Sequence, residues 1–232
     1  MGRILALGIL GTLACAQVAA AHTFAEDRFG VQATGSISGT ITTSAKGAAP
    51  VRVTIDQKIC GSELPDEAVV VDAQGHLANA VVILTGVKRP AAGETVVMNE
   101  KCRFGPRVQL AKPNSTVRTT SKDPVLHTTQ AQLENGRTIF NVALPVPGIN
   151  ISKPIGAAGT VRLNCNTHPW MRGWVIVTDD AAAISGADGK FTLDNIPPGT
   201  YEMRVWHESL KGATQKVTVS VGTSTSVNIQ LK

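Results

Sequence analysis

TVRLNCNTHPWMRGWVIV, residues 160–177, is two short β-branched runs joined by a tight loop. Cys165 closes the first run, His168 sits on the loop, and Met171 stands at the start of the second run. A thiolate, an imidazole and a thioether are soft and borderline ligands. With one further His they make the donor set of a mononuclear blue-copper site: two His and one Cys in a plane, with a weak axial Met. Pro169 stiffens the loop by fixing φ, and Trp170 can shield it from water. The blander account is a buried Cys and Met beside a surface His. Chance rarely places all three at this spacing with a suitable His upstream. A structural Zn site wants four Cys or His ligands, for which Met is a poor substitute. A catalytic Cys–His pair would lack a third, orienting group.

The second His must come from elsewhere, from His22, His76, His127 or His207. His127 is the best placed. It follows Lys122-Asp123-Pro124-Val125-Leu126 at the start of a run, leaving room for a few strands before Cys165. His76 falls in a turn, His22 near the terminus, and His207 reads as a strand-end His bonded to a neighbour.

Outward from the loop, the chain is extended almost throughout. Ser36–Thr43 and Val51–Ile55 alternate apolar and polar residues. Short β-branched runs recur at Val69–Val71, Ala80–Leu84, Thr95–Met98, Val108–Leu110, Ser115–Thr120 and Ile139–Leu144. Turn residues separate them at the spacing of a sandwich or barrel. No helix-length amphipathic segment follows the N-terminus; Asp179–Ile184 offers one turn at most. The last fifty or so residues repeat the pattern: a hairpin signal at Asp188-Gly189, a tight turn at Pro197-Pro198-Gly199, and strict alternation over Tyr201–Trp206. The run Ala181–Ala183 carries no strand signal, so a boundary is expected there.

The chain has 232 residues, 43% of them hydrophobic and 17% charged, enough apolar material for a packed core. No Gly-X-Y period marks a collagen. The net charge of +5 is spread out, with no Lys/Arg block, so nucleic acid is a poor partner. Met1-Gly2-Arg3, an apolar run from Ile4 to Ala16 and Ala19-Ala20-Ala21 read as a secretory signal peptide, residues 1–21, cut after Ala21. A membrane anchor is the alternative, but the run is short and interrupted by small residues. No later segment suits a bilayer span. Residues 22–33 read as a flexible lead-in. Cleavage removes Cys15 and leaves Cys60, Cys102 and Cys165. In an oxidising compartment, with Cys165 committed to metal, Cys60 and Cys102 are expected to form a disulfide rather than two buried thiols.

CNTHPWMRGWVIV resembles the copper loop of the cupredoxins, most closely the amicyanin type with its Cys-x2-His-Pro-aromatic-Met-Arg-Gly pattern. DPVLH resembles the segment that bears the family's upstream His. The resemblance covers Val108 to Asp179. It implies one type 1 copper held by His127, Cys165, His168 and Met171, and an edge of His168 near the surface through which electrons leave. Two residues depart from the family pattern. Thr128 replaces the Asn that ties the ligand loops together, and Leu163-Asn164 stand where an aromatic often precedes the Cys. SGADGKFTLDNIPPGTYEMRVWHE, residues 185–208, is similar to the carboxypeptidase regulatory-like (transthyretin-like) module. The pairing of the two resembles periplasmic proteins of the methylamine-utilisation or plastocyanin-like kind.

The expected fold is therefore all-β: a cupredoxin-like Greek-key β-sandwich over 34–180 and a small transthyretin-like β-sandwich module over 181–232. The strand at 36–43 suits either sheet system. The expected role is a periplasmic or secreted electron carrier, not an enzyme, that serves redox protein partners. A copper-binding or resistance protein without electron transfer, or a metal-free β-sandwich binding module, would use the same fold.

Overall fold

The computed structural model describes residues 1–2, 33–91 and 93–232. The expected signal at 1–21, apart from its first two residues, and nearly all of the lead-in, His22 included, lie outside the described residues. No described helix is long and apolar enough to cross a membrane.

From the N-terminal side the elements are β1 (Gly35–Thr43), β2 (Val51–Arg52), α1 (Gln57–Cys60) and β3 (Glu63–Leu64). Next come β4 (Val81–Lys88), β5 (Thr95–Glu100), β6 (Arg103–Gly105), β7 (Val108–Ala111) and β8 (Thr116–Ser121). The central run is β9 (His127–Leu133), β10 (Thr138–Leu144), β11 (Asn150–Pro154), β12 (Gly159–Asn164) and β13 (Arg172–Val177). The last are β14 (Asp180–Ile184), β15 (Lys190–Ile196), β16 (Gly199–Trp206), β17 (Ala213–Val219), β18 (Ser224–Ser226) and β19 (Ile229–Leu231).

The fold is all-β and consists of two sandwiches. The first packs the sheet β10-β9-β12-β13-β7 against β11-β8-β5-β6. Val97, Val117, Ala131, Val161, Leu163 and Val175 fill its core. Cys165 and Met171 belong to that same core. The second packs β14-β4-β16-β17 against a sheet in which β1 pairs with β15, β18 and β19. Its core includes Ile37, Ile41, Leu84, Leu193, Met203 and Val205.

The two sandwiches do not divide the chain at residue 180. β1, which the sequence left open, pairs antiparallel with β15 and parallel with β18 and β19, and so belongs to the second sandwich. β4 also lies there, between β14 and β16. The second sandwich is thus built from both ends of the chain, and a division into 34–180 and 181–232 does not separate the sheets. Alternation along a strand sets which face is buried but not which strand lies alongside.

Other differences have local causes. Ala181–Ala183 is not a break but the body of β14, paired with β4 from Asp180 to Ile184. Alanine is a weak strand former alone; here its small side chains let β14 pack on both faces. The Asp188-Gly189 turn joins β14 and β15, which lie in different sheets, so it is a crossover and not a hairpin. Its Gly189 has φ +70°, and a Cβ there would sit 2.5 Å from the Ile41 carbonyl oxygen. Val69–Val71 forms only an isolated bridge, Val71 to Leu77.

A third cluster joins the sandwiches. Val81, Val108 and Ile176 are buried there, with Trp174 and Trp206 packed edge to face at 5.4 Å between centroids. This explains the unbroken run Trp174-Val175-Ile176-Val177. Val175 and Val177 fill the first core while Ile176 fills the joint, as a strand covered on both faces requires. A bidentate ion pair crosses beside it: the Arg107 guanidinium donates through Nη2 to Glu208 Oε2 at 2.8 Å, and through Nε to Oε1. The two side chains are only 10% and 5% exposed.

Glu208→Ala leaves the Arg107 charge with only the longer carboxylate contact, from Nη1 to Glu67 Oε2 at 3.8 Å, and is expected to lower stability to urea by about 3 kcal/mol. The paired replacement Arg107→Met with Glu208→Leu is expected to recover most of that loss.

Candidate metal centre

The loop between β12 and β13 is shaped by its own main chain. The Met171 N–H donates to the His168 carbonyl at 3.0 Å, closing a turn over Pro169-Trp170. Across the loop, the Cys165 N–H points to the Met171 carbonyl at 3.4 Å. Cys165 and Met171 therefore face each other at the two strand ends, 4% and 2% exposed. β9 pairs with β12, which brings His127, at the start of β9, over the same end of the sheet.

The result is a buried triad. The Cys165 sulfur lies 4.0 Å from His127 Nδ1 and 3.7 Å from His168 Nδ1. The imidazole centroids are 4.6 Å apart, and both His are fully buried. These spacings can be tested against a metal. Metal–sulfur and metal–nitrogen bonds of about 2.3 and 2.0 Å, spread at ~120°, hold S and N about 3.7 Å apart. Both sulfur–nitrogen separations lie close to that spacing. His168 also lies close to the sulfurs of Cys60 and Cys102, and His127 close to Asp123 and Cys102. The Cys60 and Cys102 sulfurs are joined in a disulfide, with Cα atoms 5.3 Å apart, and so are not thiolate donors.

Around the triad, each His turns its other nitrogen to a carboxylate. His127 Nε2 is 2.9 Å from Asp123 Oδ2. Asp123 is itself held by the main-chain N–H groups of Lys101 and Cys102, both at 2.8 Å. His168 Nε2 is 3.0 Å from Asp56 Oδ2. With Nε2 donating to a carboxylate, Nδ1 is left as the lone-pair ligand atom. Thr128 supplies the tie that its identity put in question. Its main-chain N–H points at the Cys165 sulfur at 3.4 Å, and its hydroxyl accepts the Asn166 N–H at 2.7 Å. The two ligand segments are thus stitched together by a threonine.

One expectation is overturned. His168 has no edge at the surface: it is fully buried, covered by Asp56 and flanked by the Cys60–Cys102 disulfide. Trp170, half-buried, lies beside it at 5.2 Å between centroids with the rings tilted by 56°, and donates its indole N–H to the Cys102 carbonyl at 3.1 Å. A cleft of about 600 Å³ opens on this side, lined by Arg52, Phe104, Pro169, Trp170, Met171 and Trp174.

Sequence reasoning missed both carboxylates. Asp123 was within reach, four residues before His127 in the segment DPVLH. Asp56 carried no signal, because it lies 112 residues from His168. Of the remaining His, His207 is buried and accepts the Ser209 N–H at Nδ1, and His76 pairs with Asp72.

The electrostatics favour a thiolate. Burial alone would push the Cys165 thiol up. Contacts from the His127 ring, the Thr128 and His168 main-chain N–H groups and the His168 ring outweigh it and bring the thiol down to about 6. Burial likewise works against the His127 imidazolium, but the Cys165 and Asp123 contacts prevail and raise it above the ordinary value. Metal binding requires the deprotonated sulfur, and the fold supplies it near neutral pH.

Known proteins resemble parts of this chain. The family model of the carboxypeptidase regulatory-like domain matches residues 158–232. That span takes in β12 and β13 of the first sandwich as well as β14–β19. No curated protein matches the chain. Among solved structures, a purple cupredoxin from Nitrosopumilus maritimus is 24% identical, over 37% of this chain and 100% of its own, at a TM-score of 0.33. Amicyanin from Paracoccus versutus is 20% identical, over 42% of this chain and 97% of its own, also at 0.33.

In the apoprotein, thiolate ultraviolet absorbance of Cys165 is expected to rise with pH through a midpoint of about 6. His127→Ala is expected to move that midpoint up toward the ordinary thiol value of about 8.5. An unshifted wild-type thiol would contradict the arrangement.

Proposed function

We propose that this chain is a mononuclear type 1 copper protein that carries single electrons between redox partners in the periplasm or outside the cell. The observation that carries the reading is the buried triad of Cys165, His127 and His168, with both Nδ1 atoms near the sulfur at metal-ligand spacing. Met171, buried at the facing strand end, supplies the thioether. Thiolate, two imidazoles and a thioether select copper over the harder divalent ions.

Bound there, copper supplies a one-electron couple between Cu(II) and Cu(I). The chain's own residues do the rest. Cys165 offers a sulfur already stripped of its proton. Thr128 fixes that sulfur by its N–H and ties the two ligand segments together. Asp123 and Asp56 hold the two imidazoles by Nε2. A donor set so tightly braced by β9, β12 and β13 moves little when its charge changes, and little movement is what rapid electron exchange requires. The export signal read at residues 1–21 and the Cys60–Cys102 pair both suit an oxidising compartment.

A second reading, copper storage or resistance without electron exchange, is favoured by one observation: His168 has no exposed edge. A reversible mid-range potential would decide against it.

Titration of the mature protein with Cu(II) is expected to give an intense visible band at one copper per chain. Cys165→Ser is expected to abolish it. No band from a protein whose Cys165 is free and reduced would overturn the proposal.

A further inference from the structure

Asp56 stands immediately before α1, where an aspartate ordinarily accepts a hydrogen bond from the first N–H groups of a helix. It makes no such bond. Its main chain is left-handed, at φ 53° and ψ 32°, a conformation that aspartate tolerates better than most residues. Its carbonyl accepts the Ile59 and Cys60 N–H groups at 2.9 Å each. The turn is fastened at its base by the Gln57 side chain, which donates to the Val53 carbonyl at 2.7 Å, and at its far end by the Cys60–Cys102 disulfide. All of this sends the carboxylate away from α1 and onto His168 Nε2. The Asp56 side chain keeps 34% exposure while the imidazole beneath it has none, so the carboxylate stands between ring and water. Trp170 lies 5.2 Å from the same ring between centroids and lines the cleft.

We propose that Asp56 is the positioning residue of His168, and that the disulfide-anchored turn carrying it is a fixed lid that shifts the outward edge of the centre from His168 to Trp170. The consequence for electron exchange rests on the copper reading above; the geometry does not. Asp56 accepts the Nε2 proton and so leaves Nδ1 free toward Cys165. With His168 sealed, the indole is the conjugated ring that connects the triad with the cleft.

Two measurements on the metal-free mature protein test the lid. Nitrogen-15 spectra of labelled His read the His168 tautomer. Diethyl pyrocarbonate with peptide mapping reads access to its ring, with His76, whose side chain is 34% exposed, as the reference. Wild-type His168 is expected to be a single Nε2–H tautomer and to react severalfold more slowly than His76. Asp56→Ala is expected to mix the tautomers, raise the reactivity severalfold and weaken copper binding roughly tenfold. Asp56→Asn keeps an accepting oxygen and is expected to restore the wild-type tautomer. In the copper-loaded protein, Trp170→Leu is expected to slow electron exchange with hexacyanoferrate severalfold while leaving the visible band in place. A wild-type His168 as reactive as His76, or a tautomer indifferent to Asp56→Ala, overturns the lid. An unchanged exchange rate in Trp170→Leu overturns the part given to the indole. A wild-type protein that takes up no copper overturns the proposed function instead, and the apoprotein measurements still judge Asp56.

Discussion

A charged sulfur in a protein interior must be surrounded by donors or it takes a proton back. Cys165 is 4% exposed and sits in the core of the first sandwich, so everything near it answers that constraint. The Thr128 N–H, the loop main chain and two imidazoles converge on one atom. Each imidazole then needs its own acceptor, which brings in Asp123 and Asp56. Asp123 in turn draws the N–H groups of Lys101 and Cys102. One buried charge thus organises segments from four parts of the chain. The Cys60–Cys102 disulfide closes the ring by fastening the Asp56 turn to the segment that holds Asp123. It spans 42 residues, for which loop entropy alone gives roughly 4 kcal/mol.

The second sandwich supports this arrangement from behind. β13 begins at Arg172, directly after Met171, and is buried on both faces, by Val175 and Val177 on one side and Ile176 on the other. The loop with Cys165 and His168 therefore hangs from a strand gripped between two cores. The Arg107–Glu208 pair, at the rim of the cleft, fixes the two sandwiches where a slip would open the floor beneath Trp170.

What was legible in the sequence and what was not follow from distance along the chain. Cys165, His168 and Met171 share one short loop, so their chemistry can be read from spacing alone. His127 was found because few other His remained and DPVLH has a recognisable form. Asp56 could not be found, since an aspartate before a short turn looks like any capping residue, and only the fold brings it to His168. The strand at Gly35–Thr43 announced itself by alternation, yet its partners lie at the other end of the chain. β14 hid because alanine states no preference, and its conformation is imposed by β4. The side of the site that faces outward was misjudged for the same reason: what covers His168 comes from more than a hundred residues away.

The position of β1 has a kinetic side. Its strand partners lie between Lys190 and Leu231, although the nearer segment Gly75–Leu77 also bonds to its end. Such distant pairings raise contact order and slow folding. The first sandwich, between Thr95 and Val177, can close from nearer contacts while β1 waits for its strand partners. The second sandwich therefore depends on contacts far longer in sequence than those that close the first.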